Sequence, residues 1–227
     1  MKATILYPIS ILCAGVALCT GAETPSQKFA SIDEAIARGD VAAVQAYVKE
    51  HPESANQGAR PQFPPLLQAI LRKKNDTALF LIGAGANVNA TDGSGRTAIH
   101  VAVERGAADV IAALLKAKAN PNLRDQTGWT PLHHAAARNQ LGCIQTLLKG
   151  GANPTIRSDL GGTPLHEAAA SGSLEIVQTL LDAGVDPKVV SKTNQTALSI
   201  AKERGDAAVL KLISDAVEKA GGNKAQP

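Results

Sequence analysis

The 227-residue chain sets 23 lysines and arginines against 20 acidic residues, for a formal net charge of +3, and only 3% of it is aromatic. Basic side chains are scattered among acidic ones without a run, and few rings are present to stack bases, which argues against a nucleic-acid partner. Two of the three cysteines, Cys13 and Cys19, fall in the first 22 residues, so no disulfide framework is available to the rest and packing must supply the stability.

Residues 1–22 open with a single Lys2, continue through an apolar run from Ile5 to Cys19 and end in Thr20-Gly21-Ala22. This pattern predicts a secretory leader cut after Ala22. The competing reading is a membrane anchor, but Pro8 and Ser10 interrupt the run and leave it too short to span comfortably. Leu18 ahead of Cys19 is too large for a lipid-attachment motif. A soluble periplasmic or secreted product with no membrane insertion after cleavage is expected, beginning with a linker at 23–28.

From 29 onward, Phe29, Ile32, Ala35 and Ile36 precede Gly39-Asp40, and Val41, Val44, Tyr47 and Val48 follow. Two short helices with one polar outer face (Asp33, Glu34, Arg38, Gln45, Lys49) would suit a terminal unit of a stack. The stretch 51–62 is rich in Pro, Ser, Asn and Gly and predicts an irregular loop.

One phrase then recurs every 33 residues: Pro64-Pro65-Leu66-Leu67-Gln68-Ala69, Thr97-Ala98-Ile99-His100-Val101-Ala102, Thr130-Pro131-Leu132-His133-His134-Ala135, Thr163-Pro164-Leu165-His166-Glu167-Ala168 and Thr196-Ala197-Leu198-Ser199-Ile200-Ala201. A period of this length marks supersecondary units that bury their apolar faces only against their neighbours. Within 130–162, Thr130 is a good N-cap and Pro131 suits the first helical position, which predicts a short helix from 131. A second helix should start near Leu141, carry Ile144, Leu147 and Leu148 on one face, and end at Gly150-Gly151. Asn153 to Gly162 is polar and Gly-bearing, as an extended hairpin-like connection requires. The last unit, 196–217, keeps Leu198, Ala201, Val209, Leu210 and Ile213, and 218–227 reads as a disordered tail.

The Thr-Pro-Leu-His phrase, with the Gly-Ala-Asn ending at 151–153, resembles the ankyrin-repeat family. The resemblance spans 29–217, in units 29–63, 64–96, 97–129, 130–162, 163–195 and 196–217, and implies an all-α repeat solenoid of stacked helix-turn-helix units with projecting β-hairpin-like loops. Departures from the pattern mark weak points. Lys118 stands where Gly85, Gly151 and Gly184 close their helices, and Lys73 and Asn139 stand where Gly106, Gly172 and Gly205 do. A side chain at such a left-handed position costs about 1 kcal/mol. The 64–96 unit lacks both the Thr and the His.

His100, His133 and His166 invite a catalytic reading, with His134 and Glu167 beside two of them, and a metal-binding or hydrolytic protein using His133, His134 and Glu167 is one alternative. Recurrence at one register argues instead for a repeated structural role, and the resemblance implies a hydrogen bond from this His to the backbone and to the Thr. Cys143, on a helix's apolar face, reads as a small buried hydrophobe. No phosphate loop, zinc-type spacing or nucleophile elbow appears, so no enzyme, no cofactor and no metal is expected.

The resemblance places function on a concave groove lined by hairpin tips and first helices. Candidate partner-binding residues are Ser94, Arg96, Gln126, Trp129, Asp159, Leu160, Lys192 and Gln195 on the tips, and Glu104, Arg105, Arg138, Ser171 and Arg204 on the helices. The expected protein is a monomeric, exported bacterial scaffold that binds another protein. An inhibitor that neutralises an exported toxic enzyme, as an immunity protein does, is a narrower alternative.

Overall fold

Threonine followed by an apolar run and a glycine starts and stops a helix in two turns, and the chain repeats that instruction. The computed structural model describes residues 28–222, so the leader expected at 1–22 and most of the linker lie outside the described residues. Helices alternate between two layers. The inner layer holds α1 (Ile32–Arg38), α3 (Pro65–Leu71), α5 (Ala98–Arg105), α7 (Pro131–Ala137), α9 (Pro164–Ser171) and α11 (Ala197–Arg204). The outer layer holds α2 (Val41–Glu50), α4 (Asn75–Gly83), α6 (Ala108–Lys116), α8 (Leu141–Lys149), α10 (Leu174–Asp182) and α12 (Ala207–Gly222). Each helix packs on its own partner and on the same-layer helix of the next unit. An all-α repeat solenoid results. None of the described helices is long and apolar enough to cross a membrane.

The core runs through the stack between the layers. Leu66, Ile99, Leu132 and Leu165 of the inner helices and Leu81, Leu114, Leu147 and Leu180 of the outer helices are fully buried, each one repeat from the last. Alanines 69, 102, 135, 168 and 201 are equally buried and let neighbouring inner helices approach closely. Cys143 is 3% exposed in this core, and burial raises its thiol pKa.

Lys73, Lys118 and Asn139 all adopt the left-handed backbone expected of them, at φ +58°, +64° and +56°. Two expectations need correction at the ends. Residues 218–222 are not part of a tail, because α12 continues through Gly222. Asp33 is not merely a polar surface group: its carboxylate accepts from the Ala59 backbone N–H and from Gln68 Nε2, both at 2.9 Å, and so pins the irregular first connection. That connection contains a 3₁₀ turn at Pro52–Ala55. Gln68 also donates to the Phe63 carbonyl at 3.0 Å.

Candidate functional site

The histidines are built into the frame. Nδ1 of His100, His133 and His166 accepts the N–H of Thr97, Thr130 and Thr163 at 3.1, 3.2 and 3.1 Å, closing a capping box. On the far side of each ring Nε2 meets the carbonyl of the residue just before the next unit's helix-starting threonine: Trp129 at 3.1 Å, Gly162 at 3.2 Å and Gln195 at 3.3 Å. A carbonyl only accepts, so Nε2 carries the proton and Nδ1 offers the lone pair. Burial of the ring lowers the pKa of His100 and of His133 to about 4, against the opposing pull of the carbonyl, and lowers that of His166 as well. Each ring is a neutral strut between units.

This arrangement removes the donor set proposed from the sequence. Both nitrogens of His133 are engaged and the residue is fully buried, so His133, His134 and Glu167 do not converge. Among the described residues, the ligand atoms that come within 4.8 Å of one another belong to His100, Asp125 and His134. His100 has no spare lone pair there, and His134 Nε2 already lies 2.8 Å from Asp125 Oδ2. Burial alone would raise the Asp125 pKa. Hydrogen bonds from the Thr127 hydroxyl, from His134 and from the backbone N–H groups of Thr127 and Trp129 outweigh it and hold the value at about 2.

Hairpins project beyond the inner helices, and their tips are stitched together. The Gln126 N–H donates to the Ser94 carbonyl at 3.1 Å, the Gln126 side chain to Gly93 O at 2.8 Å, and the Lys192 N–H to Leu160 O at 2.8 Å. Asparagines at the start of each connection make a second seam. Asn56, Asn89 and Asn122 each accept, through the side-chain oxygen, the backbone N–H of Asn87, Asn120 and Asn153 at 2.6, 2.8 and 2.7 Å. Only after both seams are drawn does a free face remain, between the hairpins and the inner helices.

The predicted candidates divide on that face. Arg96 is held by Asp92 at 2.8 Å and by Glu104 at 2.8 Å, and Arg138 approaches the same Glu104 at 3.8 Å, so these residues form one charged cluster. Asp159 pairs with Arg124 at 2.5 Å. Ser171 Oγ donates to Ala168 O at 3.0 Å, and Arg204 donates to Ala170 O, so both side chains serve their neighbourhood first. Ser94, Arg105 and Lys192 are exposed, and Leu160 is 64% exposed, the largest apolar group left to solvent among the described residues. Trp129 is half-buried. It stacks on His133 at a centroid distance of 6.0 Å and meets the edge of His134 at 5.0 Å.

Two columns shape this face; sequence reasoning named Arg96, Trp129 and Gln195 of the first as binding candidates but none of the second. Immediately before each helix-starting residue stand Phe63, Arg96, Trp129, Gly162 and Gln195; four residues after it stand Gln68, Val101, His134, Glu167 and Ile200. The signal was available in the aligned repeats, as columns that vary while Thr, Leu and Ala around them do not. Where Gly162 leaves a gap, a recess of about 120 Å³ opens between the hairpins and α9 and α11, with Trp129, Leu160, Glu167 and Ile200 among its walls.

Comparison with known proteins agrees with this geometry. The sequence model described as ankyrin repeats, itself three copies, matches in four overlapping stretches, 32–125, 66–158, 114–191 and 151–223. Among curated proteins, Inversin of Mus musculus is 35% identical over 89 residues. That alignment covers 39% of this chain and 8% of Inversin, so it bears on the repeats alone.

Proposed function

Because the chain belongs to the ankyrin-repeat family, whose repeats make a protein-interaction scaffold, we propose that it is an exported, non-enzymatic member that holds one protein partner in the trough between its hairpins and inner helices. One observation carries the reading. The repeated side chains (Thr, His, Leu, Ala) are all engaged within the frame, whereas the side chains that differ from unit to unit (Arg96, Trp129, Gln195, His134, Glu167, Ile200) collect on a single face. Residues that must hold the stack together are constrained; those that select a partner are free to vary. A half-buried tryptophan, an exposed leucine and a charged cluster on one surface are the composition of an interface centre with a polar rim.

Export rests on the composition of residues 1–22, which carries a positive start, an apolar run and a small-residue end. In this reading the mature chain works as a monomer in a bacterial periplasm. The imidazoles contribute no chemistry, since the rings with displaced pKa values have both nitrogens occupied.

The test is capture from an envelope extract on the immobilised mature chain, beside the Arg96→Ala/Trp129→Ala variant. A specific protein held by the wild type should bind the variant at least about thirtyfold more weakly, as loss of a central anchor does, while circular dichroism stays unchanged. Equal retention by both chains would place the partner elsewhere. An intact leader on the protein recovered from cells would end the export reading.

A further inference from the structure

The recess over Gly162 differs from the rest of the trough in one chemical respect. Glu167 lines it, partly buried, and its side chain has no hydrogen bond or ion pair among the described residues. The neighbouring partly buried charges in the trough are answered: Arg96 by Asp92 and Glu104, and Asp125 by His134. A carboxylate left alone in an apolar surrounding is costly unless a cation or a donor reaches it. Burial raises the Glu167 pKa, and no neighbouring cation offsets that effect.

The walls specify what kind of cation fits. Trp129, Leu160 and Ile200 supply its apolar wall, and Ser158, Ser191, Thr193 and Gln195 supply its polar rim. These surfaces suit a methylene stem and a flat, weakly hydrated head, and they leave a strongly hydrated point charge without its water. An arginine meets both demands, because its planar guanidinium stacks flat on an indole and forks onto a carboxylate, whereas a lysine ammonium is a strongly hydrated point charge that does not fork. We propose that this cleft is a specificity pocket for an arginine side chain of the partner polypeptide, with Glu167 as the carboxylate that receives it and Trp129 as the ring on which it lies. The pocket rests on the trough reading above and adds the chemistry of the residue recognised there.

The repeat register supplies a clean perturbation. Gly162 occupies the column of Arg96, Trp129 and Gln195, and it does not adopt a left-handed backbone. A Cβ there would meet nothing closer than His166 at 3.6 Å. Gly162→Trp therefore places in the cleft a side chain that the preceding unit already carries, without straining the chain. Glu167→Gln keeps the shape and removes the charge.

The probe is a phage-displayed library of random linear peptides, panned on the full mature chain and counter-selected on Gly162→Trp. Enriched peptides should share an arginine. A synthetic copy of one should bind Glu167→Gln and Gly162→Trp about thirtyfold more weakly than wild type, and should weaken similarly when its arginine becomes lysine or glutamine. Peptides enriched without an arginine, equal binding of arginine and lysine versions, or failure to enrich any peptide that separates wild type from Gly162→Trp would each overturn the pocket. The trough reading fails separately, through the Arg96→Ala/Trp129→Ala variant. A captured protein lost by that variant but retained by Gly162→Trp and Glu167→Gln would leave the trough standing and remove the pocket.

Discussion

Thr77 is the clearest single-residue flaw in the stack. It is 1% exposed on α4, and its hydroxyl has no hydrogen-bond partner, a loss that an apolar replacement avoids. The equivalent positions in later units are Val110, Cys143, Ile176 and Val209, all apolar and all buried. Thr77→Val is nearly the same size and should raise stability by about 1 kcal/mol, read as an upward shift of the urea midpoint at constant slope. A lowered midpoint would mean that the hydroxyl is satisfied. Residue-level strain also sits at Lys118, where an ordinary side chain holds the conformation that glycine holds in three other units. That penalty was readable before any coordinates, since only the register of the repeat is needed. Thr77 was not, because the sequence does not say whether a buried hydroxyl finds a carbonyl.

Between elements, the imidazole struts make the stack sensitive to acid. The sign follows from the lowered values: His100 and His133 titrate near 4 when folded and near 6.5 when unfolded, so the unfolded chain binds protons first as pH falls. Their stabilising contribution is complete above about pH 6.5 and declines by up to about 1.4 kcal/mol per pH unit for each ring down to about pH 4. Asp125, with a folded value of about 2, withdraws its share lower still, below the ordinary carboxylate range. Thermal melts should therefore fall steadily between pH 7 and pH 4, and a flat melting temperature over that interval would contradict the struts. The bond from each His to its own Thr was expected from the family resemblance, and an offset of three on one helix turn brings the two together. The second bond was not: Nε2 reaches a carbonyl 29 residues away, and that contact exists only once the hairpin returns the chain to the start of the next unit.

For the molecule as a whole, stability is a sum over units and seams, so position along the stack sets local stability. The interior helices α5 to α10 have neighbours on both sides, whereas α1, α2, α11 and α12 pack against one side only. Hydrogen exchange should show the slowest amides in α5 to α10 and progressively faster ones toward both ends, and uniform protection throughout would argue for a single cooperative block. The architecture was visible in the sequence from period and caps alone. The candidate face was only partly legible: Trp129, Leu160 and Gln195, which line the recess, were named, but the recess itself was missed because it is made by an absence, the missing side chain of Gly162, and by Glu167 and Ile200 on two different helices. Reading columns rather than rows of the repeat would have found it.

The two seams bear on how any guest is received. With hairpin tips bonded from unit to unit and asparagine side chains bonded to the backbone of the next unit, the spacing of the units is set before anything arrives. Such a receptor is pre-organised: it loses little conformational freedom on association, and the ordering penalty falls on the incoming chain. Affinity should then depend chiefly on how stiff the visitor already is.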